Sequence, residues 1–319
     1  MRGRRSLYFL IAWLGFLVAG YTTAYGAEQE IRRSFTLDPG ATISLGNVSG
    51  DIKISSRPGS QAEMIAVKSG PDNKLDDVEI LIDASPNRLN IRTQYPQNSN
   101  TNVSVSFDLT VPPDVNLDSI NSVSGSIDIV DIENRVIARS VSGSVLASRL
   151  GREVSLESVS GDVQVTETDG RTSVKSVSGA VSATDINGDL DANSVSGRIQ
   201  IRQVRGYIKT ESVSGKINIS DSDPTSLTTS TVSGEIHFDG RLNADGRYNL
   251  KSHSGEITLN LPSDSDFVLK ASTFSGSIDS DFDIKVNGWS QKKSISGVVG
   301  SGGPTLEISS FSGSIQIRH

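Results

Sequence analysis

The residues that could do chemistry in this 319-residue chain are its serines, its acids and three histidines. A zinc site of the usual kind needs clustered histidine or cysteine ligands. The chain has no cysteine, and His237, His253 and His319 are spread over its last third, so the sequence predicts no metal site. His253-Ser254 resembles part of a hydrolytic triad, but a nucleophilic serine needs an isolated setting with an oriented base. Ser254 is one copy of a repeated motif serine, so we predict no catalytic residue and no cofactor.

Acidic residues form three short clusters toward the C-terminus: Asp221 and Asp223; Asp264 and Asp266; and Asp279, Asp281 and Asp283. An Asp-x-Asp-x-Asp stretch opens a calcium-binding loop, which also needs a later glycine and a bidentate glutamate at fixed spacing. These two residues are missing at that spacing after Asp279. We therefore expect solvated turn acids, with weak calcium binding at Asp279, Asp281 and Asp283 as the open alternative.

The most regular polar feature is a serine that precedes a glycine in a repeated Val-Ser-Gly motif: Ser124, Ser142, Ser160, Ser178, Ser196 and Ser214. A second serine recurs two residues before each of these, beginning with Ser122 and Ser140. We expect both series to form exposed ladders of hydroxyl groups. Such ladders suit structural hydrogen bonding, a binding strip for a glycan or a protein partner, or ice binding, although serine lacks the methyl group that ice-binding threonines use.

The motif glycines fix the element that must carry these serines. Gly125, Gly143, Gly161, Gly179, Gly197 and Gly215 are eighteen residues apart, and later copies follow after sixteen to twenty-one. Around each glycine, apolar residues recur at offsets −2, +2, +4, +7, +11 and +13. A fixed period of this size is typical of stacked repeat proteins, in which neighbouring units bury a shared core. We predict that all six offsets, including the motif valines at −2, face inward.

Within each half-repeat the apolar residues alternate, which predicts a β-strand with one buried face. Ile199 and Ile201 should be buried, and Arg198 and Gln200 exposed. A two-residue spacer between the halves breaks the alternation and predicts a corner. The fold class that follows is all-β: a single-domain β-solenoid, similar to a parallel β-helix, of about 18–21-residue coils.

The N-terminus predicts export. Arg2, Arg4 and Arg5 precede an apolar run from Leu7 to Ala19 and then small residues, so residues 1–26 match a secretory signal peptide. The run is shorter than the ~20 residues that span a bilayer, which disfavours a membrane anchor, and none is expected after cleavage. The expected location is the periplasm, the cell surface or the medium. The net charge of −7 disfavours nucleic acid and anionic lipid as partners.

Residues 27–118 are less regular. Strand-like alternation is broken by turn-rich stretches, one motif copy occurs at Gly50, and Pro112-Pro113 precedes the regular array. We predict that residues 27–118 form an irregular β cap or opening coils, and that residues 119–319 form the solenoid. A cap protects the unpaired strand edge of an end coil.

The signal peptide, the alternating strand ending in Val111-Pro112-Pro113 and the Val-Ser-Gly-x-Ile/Val array resemble the bacterial "putative adhesin" family of β-strand-repeat proteins, a domain of unknown function. The resemblance covers roughly residues 40–319. It implies an exported β-solenoid and offers no catalytic residues.

The predicted function is an exported, non-enzymatic scaffold for adhesion or for contact with a glycan or an envelope protein. One alternative is a structural solenoid that polymerises end to end; Ile315-Gln316-Ile317 would then be an open strand at the C-terminal end. The other is a carbohydrate-active β-helix enzyme, which the short connections between strands disfavour.

Overall fold

The computed structural model describes residues 26–96, 101–286 and 293–319. The predicted signal peptide therefore lies outside the described residues, apart from Gly26. In these residues the chain consists of β-strands and connections, with one 3-10 turn at Asp72–Asp77. The all-β prediction is confirmed. Within the same residues, no helix has the length and apolar character needed to cross a membrane.

The strands form two sheets. The first sheet has fourteen strands: β1 (Ala27–Thr36), β3 (Ile52–Ser56), β4 (Gln61–Gly70), β7 (Ser104–Val111), β9 (Ile127–Ile132), β11 (Val145–Leu150), β13 (Val163–Thr168), β15 (Val181–Ile186), β17 (Ile199–Val204), β19 (Ile217–Ser222), β21 (Ile236–Gly240), β23 (Ile257–Asn260), β25 (Ile278–Ser280) and β29 (Ile315–Arg318). The second sheet has fifteen: β2 (Thr42–Asn47), β5 (Glu79–Ser85), β6 (Arg88–Gln94), β8 (Asn116–Ser122), β10 (Arg135–Ser140), β12 (Glu153–Ser158), β14 (Arg171–Ser176), β16 (Leu190–Ser194), β18 (Tyr207–Ser212), β20 (Ser226–Thr231), β22 (Arg247–Ser252), β24 (Phe267–Thr273), β26 (Ile284–Val286), β27 (Ser294–Val299) and β28 (Thr305–Ser310).

Each regular coil gives one strand to each sheet, and consecutive coils pair in parallel at an eighteen-residue offset. Val181 pairs with Ile199 in the first sheet, and Leu190 pairs with Ile208 in the second. The inward residues of both sheets form one continuous core. Ile199 and Ile201 are fully buried, whereas Arg198 and Gln200 are exposed, as predicted. The chain is therefore a two-sheet solenoid, and its coils rise about 4.8 Å each.

The first-sheet strand is followed by the corner to the second sheet, as at residues 133–134, and the alternation breaks just before it, at the sixth residue after the motif glycine. This residue has a left-handed backbone in six coils: Asp131, Arg149, Glu167, Asp185, Gln203 and Asp221, with φ between 51° and 63°. The left-handed conformation costs a non-glycine residue about 1–2 kcal/mol. It lets the residues on either side of the spacer, such as Ile129 and Ile132, both face the core. The predicted break in alternation therefore corresponds to this left-handed residue, and the corner follows directly after the strand ends.

The prediction for the motif valines is wrong. The second strand of each coil keeps its alternation up to the serine before the valine, so the serine faces inward and the valine faces outward. Ser158 is 5% exposed and Val159 is 46% exposed. The chain then turns over Val159, Ser160 and Gly161 before the next strand begins at Val163. The prediction from the sequence assumed that the alternation of the following strand also held for the turn residues before it.

The motif glycine is required by a close approach between coils. A β-carbon added to Gly161 would lie 2.2 Å from the carbonyl oxygen of Gly143 in the preceding coil, well inside van der Waals contact. The same crowding recurs at the motif glycines from Gly125 to Gly255. This explains why the glycine is kept in every copy while the next residue varies.

The stack does not follow chain order at its ends. At the N-terminal end, the coil of Gly50 lies against the coil of Gly125, and β4, β7, β6 and β5 cover its far side. At the C-terminal end, β29 lies between β23 and β25, in parallel with both. Ile315–Ile317 is thus an interior strand, and its predicted open edge is wrong. Antiparallel strands β26 and β27 complete this end of the second sheet.

Candidate interaction surface

Eight outward-facing valines form a single file along the solenoid, hereafter the valine ladder: Val48, Val123, Val141, Val159, Val177, Val195, Val213 and Val232, which are 40–49% exposed. We call each valine of this ladder, with its turn, a rung. Backbone hydrogen bonds connect neighbouring rungs: Ser160 N–H donates to the Val141 carbonyl and Ser178 N–H donates to the Val159 carbonyl, both at 2.9 Å. At about 4.8 Å per coil the ladder is about 34 Å long. The core does not require these valines, because each lies in a turn at the surface.

Three aromatic rungs continue the file beyond Val232. His253 stacks on Phe311, and Phe311 stacks on Phe274, each pair with ring centroids 4.9 Å apart and planes within 6°. Lys293 Nζ lies 5.7 Å from the centroid of the Phe274 ring. The two phenylalanines are 66% (Phe274) and 50% (Phe311) exposed. Phe311 stacks on both sides and presents its edge to solvent, whereas the terminal ring of Phe274 stacks on one face only and has Lys293 over it.

A shallow groove of about 870 Å³ runs beside the valine ladder. Its floor is the series of buried motif serines, and its second wall is the row of outward residues just before those serines. We call this wall the charged row: Asn121, Arg139, Glu157, Lys175, Asn193 and Glu211. Arg139 Nε lies 3.0 Å from Glu157 Oε2 across two coils, with both side chains partly exposed. The groove is thus apolar on one side and alternates in charge on the other.

The predicted serine ladder borders the valine ladder directly: Ser124, Ser142, Ser160, Ser178, Ser196 and Ser214 are all exposed. Some of these hydroxyls bond to the preceding coil: Ser124 Oγ donates to the Val48 carbonyl at 3.0 Å, and Ser214 Oγ to the Val195 carbonyl at 3.4 Å. The serine series and the valine ladder together form a strip of mixed polarity along one edge of the solenoid.

The second predicted serine ladder is not exposed. Its members are buried at 4–6% exposure: Ser122, Ser140, Ser158, Ser176, Ser194 and Ser212. Ser158 Oγ accepts a hydrogen bond from Gly161 N–H and donates one to the Gly143 carbonyl, both at 3.0 Å. This series closes the turns and joins the coils, which is a structural role.

The acidic clusters are engaged within the chain. Asp281 pairs with Arg318 at 2.8 Å, and Ser277 Oγ donates to Asp279 at 3.1 Å. Ser301 donates hydrogen bonds to Asp266 from its hydroxyl and its N–H, and these bonds lower the pKa of the Asp266 carboxyl. In the described parts of the chain, no three histidine, aspartate or glutamate side chains are grouped so that they could hold a metal ion.

The three histidines do not converge either. His237 lies in β21, His253 is an aromatic rung, and the ring of His319 meets the edge of Phe282 with centroids 5.5 Å apart. The structure does bring members of two acidic clusters together with one histidine: Asp264, Asp266, Asp281, Asp283 and His319 line a shallow depression of about 330 Å³ near the C-terminal end. The valine ladder is the surface feature that sequence reasoning missed, although its residue type and spacing were visible in every motif copy.

Comparison with known proteins places the chain in a family. The family model described as Toastrack DUF4097 matches residues 38–247 and 225–318. No functionally curated protein matches the chain.

Three solved structures are similar over most of their length. A "putative cell adhesion protein" from Clostridium sporogenes is 14% identical, with 91% of this chain and 99% of that chain covered and a TM-score of 0.22. A "putative adhesin" from Bacteroides fragilis is 13% identical, with 90% and 96% covered and a TM-score of 0.37. A "putative lipid binding protein" from Parabacteroides distasonis is 14% identical, with 91% and 97% covered and a TM-score of 0.43. The TM-scores are low, so no function is inferred from these three structures. The family assignment rests on the match to the family model and on the repeat. The chain belongs to the Toastrack DUF4097 family.

Proposed function

We propose that this chain is an exported, non-enzymatic scaffold that contacts envelope or extracellular partners through the valine ladder and the serine series beside it. The observation that carries the proposal is the single file of eight half-exposed valines on a regular solenoid. Scattered surface valines need no explanation, but a contiguous apolar strip is typical of an interaction site. Covering the exposed half of one valine is worth about 1 kcal/mol, so several rungs together supply useful affinity.

The strip suits a protein partner better than a glycan. Sugars are usually bound by stacking on a free aromatic face together with converging polar groups. Here the faces of Phe311 and His253 are used by their stack, Lys293 lies over the ring of Phe274, and the ladder itself is aliphatic. Two of the exposed serine hydroxyls, those of Ser124 and Ser214, already bond to the backbone. A flat partner surface with apolar side chains at matching spacing would cover the ladder instead.

The two alternative functions have weaker support. End-to-end polymerisation needs matching open ends, whereas the two ends of the described stack differ: antiparallel strands end both sheets on the N-terminal side, but only the second sheet on the C-terminal side. A carbohydrate-active enzyme needs a free acid in a cleft. Asp281 is paired with Arg318, and the hydrogen bonds to Asp266 favour its ionised form.

A binding experiment tests the proposal. Purified protein is applied to immobilised envelope preparations of the source organism, and the V159K/V177K double variant is compared with L146K. Leu146 is a fair control because it is 40% exposed like the valines but lies on the outer face of the first sheet. We expect binding by wild type and L146K and loss in the double variant. Equal binding by all three proteins would contradict the proposal.

Two further measurements test export and the absence of catalysis. Expression of the full chain with a C-terminal tag, followed by fractionation and mass analysis, should give a product cleaved near residue 26 outside the cytoplasm. A cytoplasmic, uncleaved product would contradict export. Cleavage of a polysaccharide from a defined panel, lost in Asp281→Asn, would contradict a non-enzymatic role.

A further inference from the structure

The charged row is self-complementary about its midpoint, between Glu157 and Lys175. Along the row the charges run neutral at Asn121, positive at Arg139, negative at Glu157, positive at Lys175, neutral at Asn193 and negative at Glu211. The middle of the eight-valine ladder lies between Val159 and Val177, which is also the interval between Glu157 and Lys175. The centre of the apolar strip and the centre of charge complementarity therefore coincide.

We infer that the partner of the strip is a second copy of this chain, bound antiparallel across a two-fold axis midway between Val159 and Val177. The inference rests on the proposed function, because it takes the strip to be an interaction surface, and it names the partner. A two-fold axis that lies in the contact plane and crosses the ladder places the two ladders face to face. It also places the two charged rows face to face, with their order reversed.

This register matches every rung of the ladder. Val159 faces Val177 of the partner subunit, Val141 faces the partner's Val195, and so on outward to the first and eighth valines. In the charged row, Glu157 faces the partner's Lys175 twice by symmetry, Arg139 faces the partner's Asn193, and Asn121 faces the partner's Glu211. No like charges meet in the row, and two ion pairs form at its centre.

Neighbouring registers cover fewer valines, and most of them bring like charges together. A register one full rung toward the N-terminal end would pair Arg139 with Glu157 of the partner subunit without like charges, but it would cover six valines instead of eight. Moving the axis by half a rung toward the C-terminal end places Lys175 opposite itself, and moving it by the same step toward the N-terminal end places Glu157 opposite itself. Like charges placed directly opposite one another oppose association. A parallel pairing, with the axis along the solenoid, puts the two charged rows on opposite sides of the contact and forms no ion pairs. The antiparallel register also covers all eight valines.

The residues on the other side of the strip are compatible with this register. The residues after the motif glycines oppose no like charges near the centre, where Asp162 would lie opposite Ala180 of the partner subunit and Ser144 opposite the partner's Arg198. At the outer limit of the contact, Asp51 would lie opposite Glu235 of the partner subunit. Within its own chain Asp51 accepts a hydrogen bond from Ser126 N–H at 2.9 Å, and Glu235 pairs with Lys216 at 2.8 Å. Both carboxylates are thus already partly satisfied.

The expected contact is small. Eight rungs at about 4.8 Å and a strip of about five residues in width give roughly 600 Å² per subunit. Stable interfaces commonly bury about 800 Å² per partner. We therefore expect a reversible dimer with a dissociation constant on the order of micromolar.

Sedimentation velocity from 1 to 100 μM is the test, with wild type, E157K, K175E, the charge swap E157K/K175E and the control L146K. Each single reversal places like charges at both central pairs and should weaken dimerisation about tenfold or more, whereas the swap should restore it. E157K also removes the ion pair between Arg139 and Glu157, but exposed pairs contribute little to stability. Circular dichroism of each variant verifies the solenoid.

The outcomes separate the inference from the proposed function. A wild-type protein that stays monomeric at 100 μM, or single reversals that dimerise as well as wild type, would overturn the self-pairing. If envelope binding were still lost in V159K/V177K, the proposed function would stand with a different partner. If neither dimerisation nor envelope binding depended on the ladder, both would fail.

Discussion

Truncation of one buried motif serine should destabilise the solenoid far more than truncation of the exposed serine two residues later. In Ser158→Ala, Gly161 N–H and the Gly143 carbonyl each lose the hydrogen bond that Ser158 Oγ makes at 3.0 Å. Both glycines are buried, so water does not replace the lost partner freely. A buried polar group left without its partner costs about 1–3 kcal/mol, which gives about 2–6 kcal/mol for the two groups together.

Ser160→Ala is the matched control, because Ser160 lies in the same turn and is exposed. Its truncation should change stability by less than about 0.5 kcal/mol. In urea unfolding, a loss of 3 kcal/mol shifts the midpoint by about 1 M when the slope is about 3 kcal/mol per molar. Amide hydrogen exchange measures the local effect, and Gly161 should exchange roughly a hundredfold faster in Ser158→Ala.

Equal midpoints for Ser158→Ala and Ser160→Ala would refute this reasoning. So would a Gly161 amide that exchanges at the wild-type rate in Ser158→Ala. Either result would mean that the buried serine series does not join the coils.

Three further predictions concern packing and pH. Ile199→Asp buries an unpaired charge between coils and should cost more than about 4 kcal/mol, whereas Arg198→Asp should change the urea midpoint little. Gly161→Ala forces a β-carbon to within 2.2 Å of a backbone oxygen and should lower the midpoint by at least as much as Ser158→Ala; a neutral result would contradict the close approach. The pKa of Asp266 is lowered by its bonds from Ser301, so its contribution to stability is present above the ordinary aspartate pKa and is lost as pH falls through the folded value. Asp266→Asn should therefore lower Tm slightly at pH 7 and leave it unchanged near pH 2; a difference that persists in acid would contradict this cause.

The fold was predictable because the motif glycine and the alternating apolar residues constrain the backbone at every coil. The close contact between Gly161 and the Gly143 carbonyl leaves no alternative residue at that position, so the period is visible without an alignment. The inward placement of Ile199 and Ile201 follows from strand alternation alone.

The surface was harder to predict, since alternation stops at a turn. Val159 lies in the Val-Ser-Gly turn and Val163 begins the next strand, so no rule of period two relates the directions of their side chains. A valine in a repeated motif is usually a core residue, which favoured the wrong assignment. Because Ser158 faces inward, the valine that follows it faces outward together with the motif serine Ser160.

The order of the last coils could not be predicted either. The motifs at Gly255, Gly276 and Gly313 are similar enough that each could stack on another. The structure places the last motif between the other two, so that Phe311 stacks between His253 and Phe274. Aromatic residues at the valine position of these three motifs were the available signal, because stacked rings require adjacent coils.

Cysteine cross-linking tests the central claim, that the valine ladder pairs with a ladder, most directly. The chain has no cysteine, so Val123→Cys and Val213→Cys each introduce a single reactive thiol. In the antiparallel register Val123 faces Val213 of the partner subunit, whereas its own counterpart lies five rungs away, about 24 Å, too far for a disulfide. Under mild oxidation, a mixture of the two variants should give the mixed disulfide and neither variant alone should give a cross-linked dimer. Efficient cross-linking of Val123→Cys to itself, or no cross-link in the mixture, would contradict the account.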